Sequence, residues 1–334
     1  MNTNDVPLGP LHILCCSTRQ WNPGDEWIAL GVRELFARIY DYRPLNWILY
    51  DRSPDSFVEP WECPSRRPGL LGNSYQPQAG GEVFHLAIAA GTPEWRGPHF
   101  ESVFRSTRPT PWMFLGVDHV HDEPIQPTDE ELSILRTASV VTRGALGAEA
   151  LSRLGVSSHT LPCPSLFAAK WERPTRQLAR VGVVLQSDAI QNQSVPTPLK
   201  TASIRLVRDL NKHYQVTVFC NYIDEFRAFR STLDVPVRYS YDSAEYMDMM
   251  SDCDVIVSTR LHSAFLANSL LKPAIVMNDS SRVQSAAALY PYVFPLEPQT
   301  VLPFLQQLDV QLVGRQLFNW KRVQEDRYKN LLIE

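Results

Sequence analysis

The sequence predicts an α/β protein of two doubly wound, Rossmann-like domains facing a cleft. Two observations carry that expectation. Short apolar runs alternate with helix-period segments along the whole chain, the pattern of parallel sheets covered by helices. The alternation also breaks at 169–180, where Lys170, Glu172, Arg173, Pro174 and Arg176 interrupt the periodicity, and then restarts. A length of 334 residues supplies two cores. The expected division is an N-terminal domain over 1–172, a C-terminal domain over 173–313, and a segment over 314–334 that packs back across the cleft as a helix.

In the first half, apolar runs at 11–17, 47–50, 85–89, 112–117 and 139–142 read as strands. Ile28, Val32, Leu35, Phe36 and Ile39 recur at helical spacing and predict a helix over 26–40. Thr128 and Glu131 form a capping-box signature ahead of Leu132 and Leu135, and a helix over 145–154 ends at Gly155. The stretch 51–81, rich in Pro, Gly, Ser and Arg, lacks periodicity and predicts a long loop. In the second half the strands fall at 181–186, 215–220, 237–239, 254–258 and 274–277. Helices are expected at 201–212, 225–233, 244–251 and 261–271, with another after 281 and a polar terminal helix over 314–332. Ligands of such folds bind at the carboxyl ends of the strands, so function belongs in the strand-to-helix loops.

Composition narrows the function. With 44% hydrophobic and 20% charged residues the chain is globular. A net charge of −4, from 36 acidic against 32 basic residues, gives no field to hold nucleic acid or an anionic membrane, so any anion is held by a local cluster. Six of the basic residues are lysine and the rest arginine, which supplies planar donor forks for phosphate or carboxylate. Residues 1–10 have no basic leader character, and the apolar run 11–16 is shorter than a membrane span, so a cytoplasmic location is expected. Six cysteines without a C-x-x-C pair read as buried, reduced thiols.

The richest stretch is 252–273. An apolar strand ends at Ser258, and Arg260 and His262 follow where the chain turns into a helix. A helix N-terminus already favours anions, and a guanidinium and an imidazole add charge and a proton donor. Alternatively, this Arg pairs with a neighbouring carboxylate and this His packs. Arg282 follows the next strand, where it either joins Arg260 on one phosphate or is a solvated helix-start residue. Arg143 ends the strand at 139–142, beside Gly144 and Gly147, which permit close backbone approach. After the first strand, Asn22-Pro-Gly-Asp-Glu26 turns into a helix. Asp25 and Glu26 there either cap it or point into the cleft.

Four elements in chain order, N-x-G-D-E at 22–26, V-V-T-R ending at Arg143, T-R-L-H ending at His262, and K-P-A-I-V-M from Lys272, together resemble the polysaccharide pyruvyl transferases. The resemblance covers roughly 11–282. It implies a two-domain, GT-B-like enzyme that transfers the pyruvyl unit of phosphoenolpyruvate onto sugar hydroxyls, forming a pyruvate ketal and releasing phosphate. By resemblance Arg260 and His262 match the family's R-x-H, Arg143 matches the arginine ending the first domain's last strand, and Arg282 stands where many members carry a basic residue. Arg143, Arg260, His262 and Arg282 would bind the donor, with His262 as general acid and Asp25 accepting the hydroxyl proton. Asn22, Glu26, Trp95, His119 and His121 are acceptor-side candidates. Two departures stand out: Gly144 where the family usually has aspartate, and 89–95 in place of a glycine-rich turn.

No metal or cofactor is called for, since phosphoenolpyruvate enters as donor substrate and arginine charge meets the departing phosphate. The partners expected are a small-molecule donor and a carbohydrate acceptor, with no nucleic acid and no transmembrane segment. Peripheral contact with a lipid-linked glycan is compatible with that. Two other readings stand beside this one. A GT-B glycosyltransferase using a nucleotide sugar shares the architecture, yet no pair of glutamates in the second half stands eight apart. A non-catalytic binder of a phosphorylated ligand would keep the fold without turnover. A metal reading starts from Asp118-His-Val-His-Asp-Glu123, otherwise a surface loop or a substrate-contacting one, and Asp252-Cys-Asp254 mimics a metal-binding triplet but reads as a helix end and strand start.

Overall fold

The computed structural model describes residues 9–18, 23–41, 43–51, 73–74, 84–92, 99–118, 126–173, 175–186, 197–277 and 280–333. Among them two parallel sheets form. The first contains β1 (Leu11–Ser17), β2 (Leu45–Asp51), β3 (Asn73–Ser74), β4 (Leu86–Ala90), β5 (Trp112–Val117), β6 (Ser139–Thr142) and β7 (His159–Thr160) in the order β3-β2-β1-β4-β5-β6-β7. Its helices are α1 (Pro23–Ile39), α2 (His99–Ser106), α3 (Asp129–Leu135) and α4 (Ala145–Arg153). The second contains β8 (Arg180–Val184), β9 (Gln215–Cys220), β10 (Val237–Tyr239), β11 (Val255–Ser258), β12 (Ala274–Val276) and β13 (Val293–Pro295) in the order β10-β9-β8-β11-β12-β13. Around it lie α5 (Thr197–Leu210), α6 (Ile223–Arg230), α7 (Ser243–Ser251), α8 (Leu261–Ser269), α9 (Ser281–Ala287) and α10 (Pro298–Gln307), followed by α11 (Val310–Ile333). Both sheets reverse direction beside their first strand, at β1/β4 and at β8/β11, the switch points where such sheets hold ligands.

The central strands are apolar on both faces because helices cover both sides. Ile13, Leu14, Cys15 and Cys16 in β1, and Val255, Ile256 and Val257 in β11, are all buried. The expected capping box forms: Thr128 Oγ1 accepts from Glu131 N at 3.3 Å, and Thr128 N donates to Glu131 Oε2 at 2.7 Å. Gly155, beyond the end of α4, takes the left-handed conformation, φ 71°. The five described cysteines are buried.

Three differences from the sequence reading have physical causes. Helix α1 starts at Pro23, a turn before the expected 26, because proline has no N–H to lose in a helix's first turn. Asp25 and Glu26 therefore sit inside the first turn, past the N-cap position. Strand β13, Val293-Phe294-Pro295, is short and ends in proline, a residue that argues against a strand. Helix α10 carries Pro303 within it, which masks its helical pattern.

The two sheets share one apolar core. Residues of α1, the 3-10 turn Pro164–Phe167, α7 and α8 belong to a single buried cluster that reaches from Ile13 to Leu332. Helix α8 lies at its centre; eight of its nine residues are buried. Trp27 of α1 packs on Tyr246 of α7, ring centroids 5.3 Å apart, and its indole N–H donates to Ser243 O at 3.2 Å. Helix α11 holds groups from both halves. Tyr328 donates to Pro162 O at 2.7 Å, Glu325 pairs with Arg38 of α1 at 2.8 Å, and Lys321 donates to Ser269 O at the end of α8, also at 2.8 Å.

Candidate functional site

The site is built on strand ends that converge between the sheets. At Gly116, φ 82°, the β5/β6 register shifts, and the bulge re-aims the chain leaving β5. Asp118 N then donates to Thr92 Oγ1 at 3.0 Å, and Arg143 N donates to Val117 O at 2.9 Å. The ends of β4, β5 and β6 are thereby tied together. Arg143, only 1% exposed, donates from Nε to the fully buried Asp118 at 3.3 Å. Burial works to lower the Arg143 pKa, but the opposing charges, Asp118 foremost, then Cys163 and Asp25, carry it upward.

From the second sheet, β11 ends at Ser258, whose hydroxyl brackets the next turn. It accepts from Arg260 N and donates to Arg260 O, both at 2.8 Å. Arg260 is the N-cap residue of α8, and His262 lies in its first turn. The Arg260 guanidinium pairs with the fully buried Glu225 of α6 and lies over the Tyr222 ring, 5.0 Å from its centroid. Burial pushes the Tyr222 phenol up, and Arg260 opposes it while Glu225 and Asp25 add to it. Asp25 thus acts electrostatically on both Arg143 and Tyr222, so the start of α1 faces both walls.

The halves meet at His262. Its Nε2 is in hydrogen-bond contact with Arg143 Nη1, and its ring lies against the backbone of Gly24, where even a Cβ would overlap Nδ1. A guanidinium has no acceptor, so Nε2 accepts and the proton of the neutral imidazole sits on Nδ1. Asp118, Arg143 and His262 therefore form a continuous line of polar contacts across the interface. Nearby, Leu146 N donates to Ser285 Oγ of α9 at 3.2 Å, and a Cβ at Gly144 would stand 2.8 Å from that same oxygen. Close approach of α9 explains the glycine where the resemblance expects aspartate. The carboxylate paired with Arg143 is that of Asp118.

Of the residues singled out from sequence, Arg143, Arg260, His262, Asp25 and Glu26 are thus brought to one interface, with Asp25 and Glu26 buried in the first turn of α1. Arg282 is the second residue of α9, on the strand-end side of β12; its side chain lies outside the described residues. Asn22, Trp95, His119 and His121 also lie outside them. Among the described residues no three His, Cys, Asp or Glu side chains gather as a metal site. Asp254 accepts from Ala179 N and Arg180 N at 2.9 and 2.8 Å, tying β8 to β11. Sequence reasoning missed Asp118 as the partner of Arg143 and Glu225 as the partner of Arg260. Both stand at or just past strand ends, where carboxylates deserved the scrutiny given to arginines.

Residues 132–281 match the family model of the polysaccharide pyruvyl transferases. The matched segment runs from α3 to the first residue of α9 and includes Arg143, Tyr222, Glu225, Arg260 and His262; Asp25 and Asp118 lie before it. No curated protein matches the chain. Solved structures similar to it include MnaA of S. aureus with UDP, 12% identical with a TM-score of 0.55 over 98% of each chain. A putative UDP-N-acetylglucosamine 2-epimerase from Listeria monocytogenes is 8% identical, TM-score 0.59, over 92% of this chain and 91% of that one. UDP-GlcNAc 2-epimerase from Neisseria meningitidis bound to UDP-GlcNAc is 8% identical, TM-score 0.55, over 97% and 100%. At such identities the fold is what is shared, and it is the two-domain GT-B-like fold expected from the sequence.

Proposed function

We propose that this protein transfers the pyruvyl unit of phosphoenolpyruvate onto two hydroxyls of a glycan or glycan precursor, forming a ketal and releasing phosphate. The match of 132–281 to the pyruvyl transferase model and the GT-B-like fold support a polysaccharide-modifying transferase. The observation that carries the finer reading is the meeting of Arg143, from the first sheet, with His262, two residues after Arg260 on the second. One small anion entering between the sheets would reach both guanidiniums and the imidazole.

Both guanidiniums are already oriented by buried carboxylates, so the donor's phosphate and carboxylate add to edges those partners leave open. The entering anion takes Arg143's donors; His262 Nε2, released from that contact, takes up from solvent the proton it delivers to the methylene carbon, and Asp25 returns one to solvent at the end of the cycle. The first sugar hydroxyl bonds to the adjacent carbon and gives its proton to Asp25. The bond between that carbon and the phosphate oxygen breaks, and the departing phosphate is met by Arg260 and Arg143. The second hydroxyl closes the ring, and its proton leaves with the phosphate. Specificity for the acceptor is assigned to the loops after β2, β4 and β5.

The test is incubation of the purified chain with phosphoenolpyruvate and candidate glycans. Phosphate release with a glycan mass gain equal to one pyruvate ketal is the expected result. Product formed from a nucleotide sugar, with phosphoenolpyruvate left intact, would overturn the reading in favour of glycosyl transfer.

A further inference from the structure

Glu225 divides its carboxylate between two tasks. Oε2 accepts from Asn221 N at 2.9 Å and Tyr222 N at 3.2 Å, closing the start of α6. Oε1 accepts from Arg260, with which it forms an ion pair at 0% exposure of the Glu225 side chain and 11% of the Arg260 side chain. The supporting layer continues outward: Tyr222 offers its ring face to the same guanidinium, and Tyr246 donates to Asn221 Oδ1 at 2.9 Å. A helix cap needs only one of the two oxygens. The other faces Arg260 as a fully buried charge. On the arginine, Nε is buried with no hydrogen-bond partner, so one donor of a firmly held fork is left unsatisfied.

We infer that Glu225 is a positioning residue: it clamps Arg260 from behind and presents the guanidinium's remaining donors to an anion in the cleft, as the pyruvyl-transfer reading requires. The carboxylate does not touch the ligand and acts through Arg260. Glutamine at this position separates the two tasks. Its amide oxygen keeps the two backbone donors of α6, which turns the NH2 toward Arg260, donor against donor. The cap persists and the clamp is lost.

The experiment compares wild type, Glu225→Gln, Arg260→Ala and the double variant, all full-length, by thermal unfolding and by calorimetric titration with inorganic phosphate. Expected is folding of every variant, with phosphate Kd about threefold weaker or more for Glu225→Gln in the wild-type background and unchanged by it in the Arg260→Ala background. In turnover of phosphoenolpyruvate, Glu225→Gln should lower kcat about 10- to 100-fold while KM rises no more than the phosphate Kd. Equal effects of Glu225→Gln in both backgrounds, or none in either, would overturn the assignment, as would wild-type protein that binds no phosphate. If wild type binds phosphate but releases none from phosphoenolpyruvate, the pyruvyl-transfer reading fails, and the double-variant cycle alone decides the role of Glu225.

Discussion

The two sheets share a strand order but arm it differently. In the N-terminal half the switch-point loop after β1 leads into α1 with Asp25 and Glu26, and the arginine stands farther out, after β6. In the C-terminal half the guanidinium of Arg260 and the imidazole of His262 sit at the switch point itself, after β11, and the buried carboxylate Glu225 comes from the first turn of α6, after β9. The same scaffold thus offers a carboxylate-bearing crevice on one side and a guanidinium–imidazole crevice on the other. A reaction that deprotonates a hydroxyl while neutralising an anion needs both, and closing the two sheets over one core brings them together.

That asymmetry is open to direct attack. The largest effect should come from stripping the cationic crevice. Arg260→Ala or His262→Ala is expected to lower kcat/KM for phosphoenolpyruvate by about 1,000-fold or more with the folded state retained, as read by phosphate release and circular dichroism. Full activity in either variant would remove that residue from the site. On the other wall, Asp118→Asn leaves the buried Arg143 without its counter-charge. Destabilisation of about 3–5 kcal/mol is expected in denaturant titrations, and a loss below about 1 kcal/mol would show that the pair does not hold the β5 and β6 ends together. Gly24→Ala tests the seam between the walls. The added methyl occupies the place of the His262 ring, so activity should fall about 10- to 100-fold with little loss of stability, and unchanged kinetics would show that the two walls need not close this tightly.

The smallest expected effect concerns the strap that spans both halves. Burial, foremost, lowers the Lys321 pKa to about 8 from 10.5, with Glu172 opposing the shift. A lysine depressed in the folded state binds fewer protons there than in the unfolded chain between those two values. The charge penalty is therefore fully present below pH 8 and is relieved as pH rises toward 10.5. Wild type should gain about 2 kcal/mol relative to Lys321→Met between pH 7 and 10 in matched denaturation curves. A flat difference would mean that Lys321 is not buried as a cation.

Legibility in the sequence followed the range of the interactions. Strands β1, β5, β6, β9 and β10 are readable to the residue because short runs rich in apolar and β-branched residues, bounded by turn residues, announce them, even at the half-exposed sheet edge where β10 lies. The start of α1 was read a turn late because apolar periodicity cannot register a first turn built from Pro23, Gly24, Asp25 and Glu26. The arginines at strand ends were visible because position along a strand is local information. Their partners were not: Asp118 lies 25 residues from Arg143 and Glu225 lies 35 from Arg260.

The sequence by itself determined the α/β class, the succession of strands and helices, and the placement of Arg143, Arg260 and His262 at the carboxyl ends of strands. Those features depend on periodicity and on neighbours within a turn or a pleat. Tertiary structure alone decided that Asp118 and Glu225 compensate the two arginines, that Arg143 reaches His262 across the interface, and that Gly24 is small to admit the imidazole ring. Each is a contact between distant segments, set by how two sheets pack over a shared core, and the three-dimensional register of that packing is not written in any local pattern.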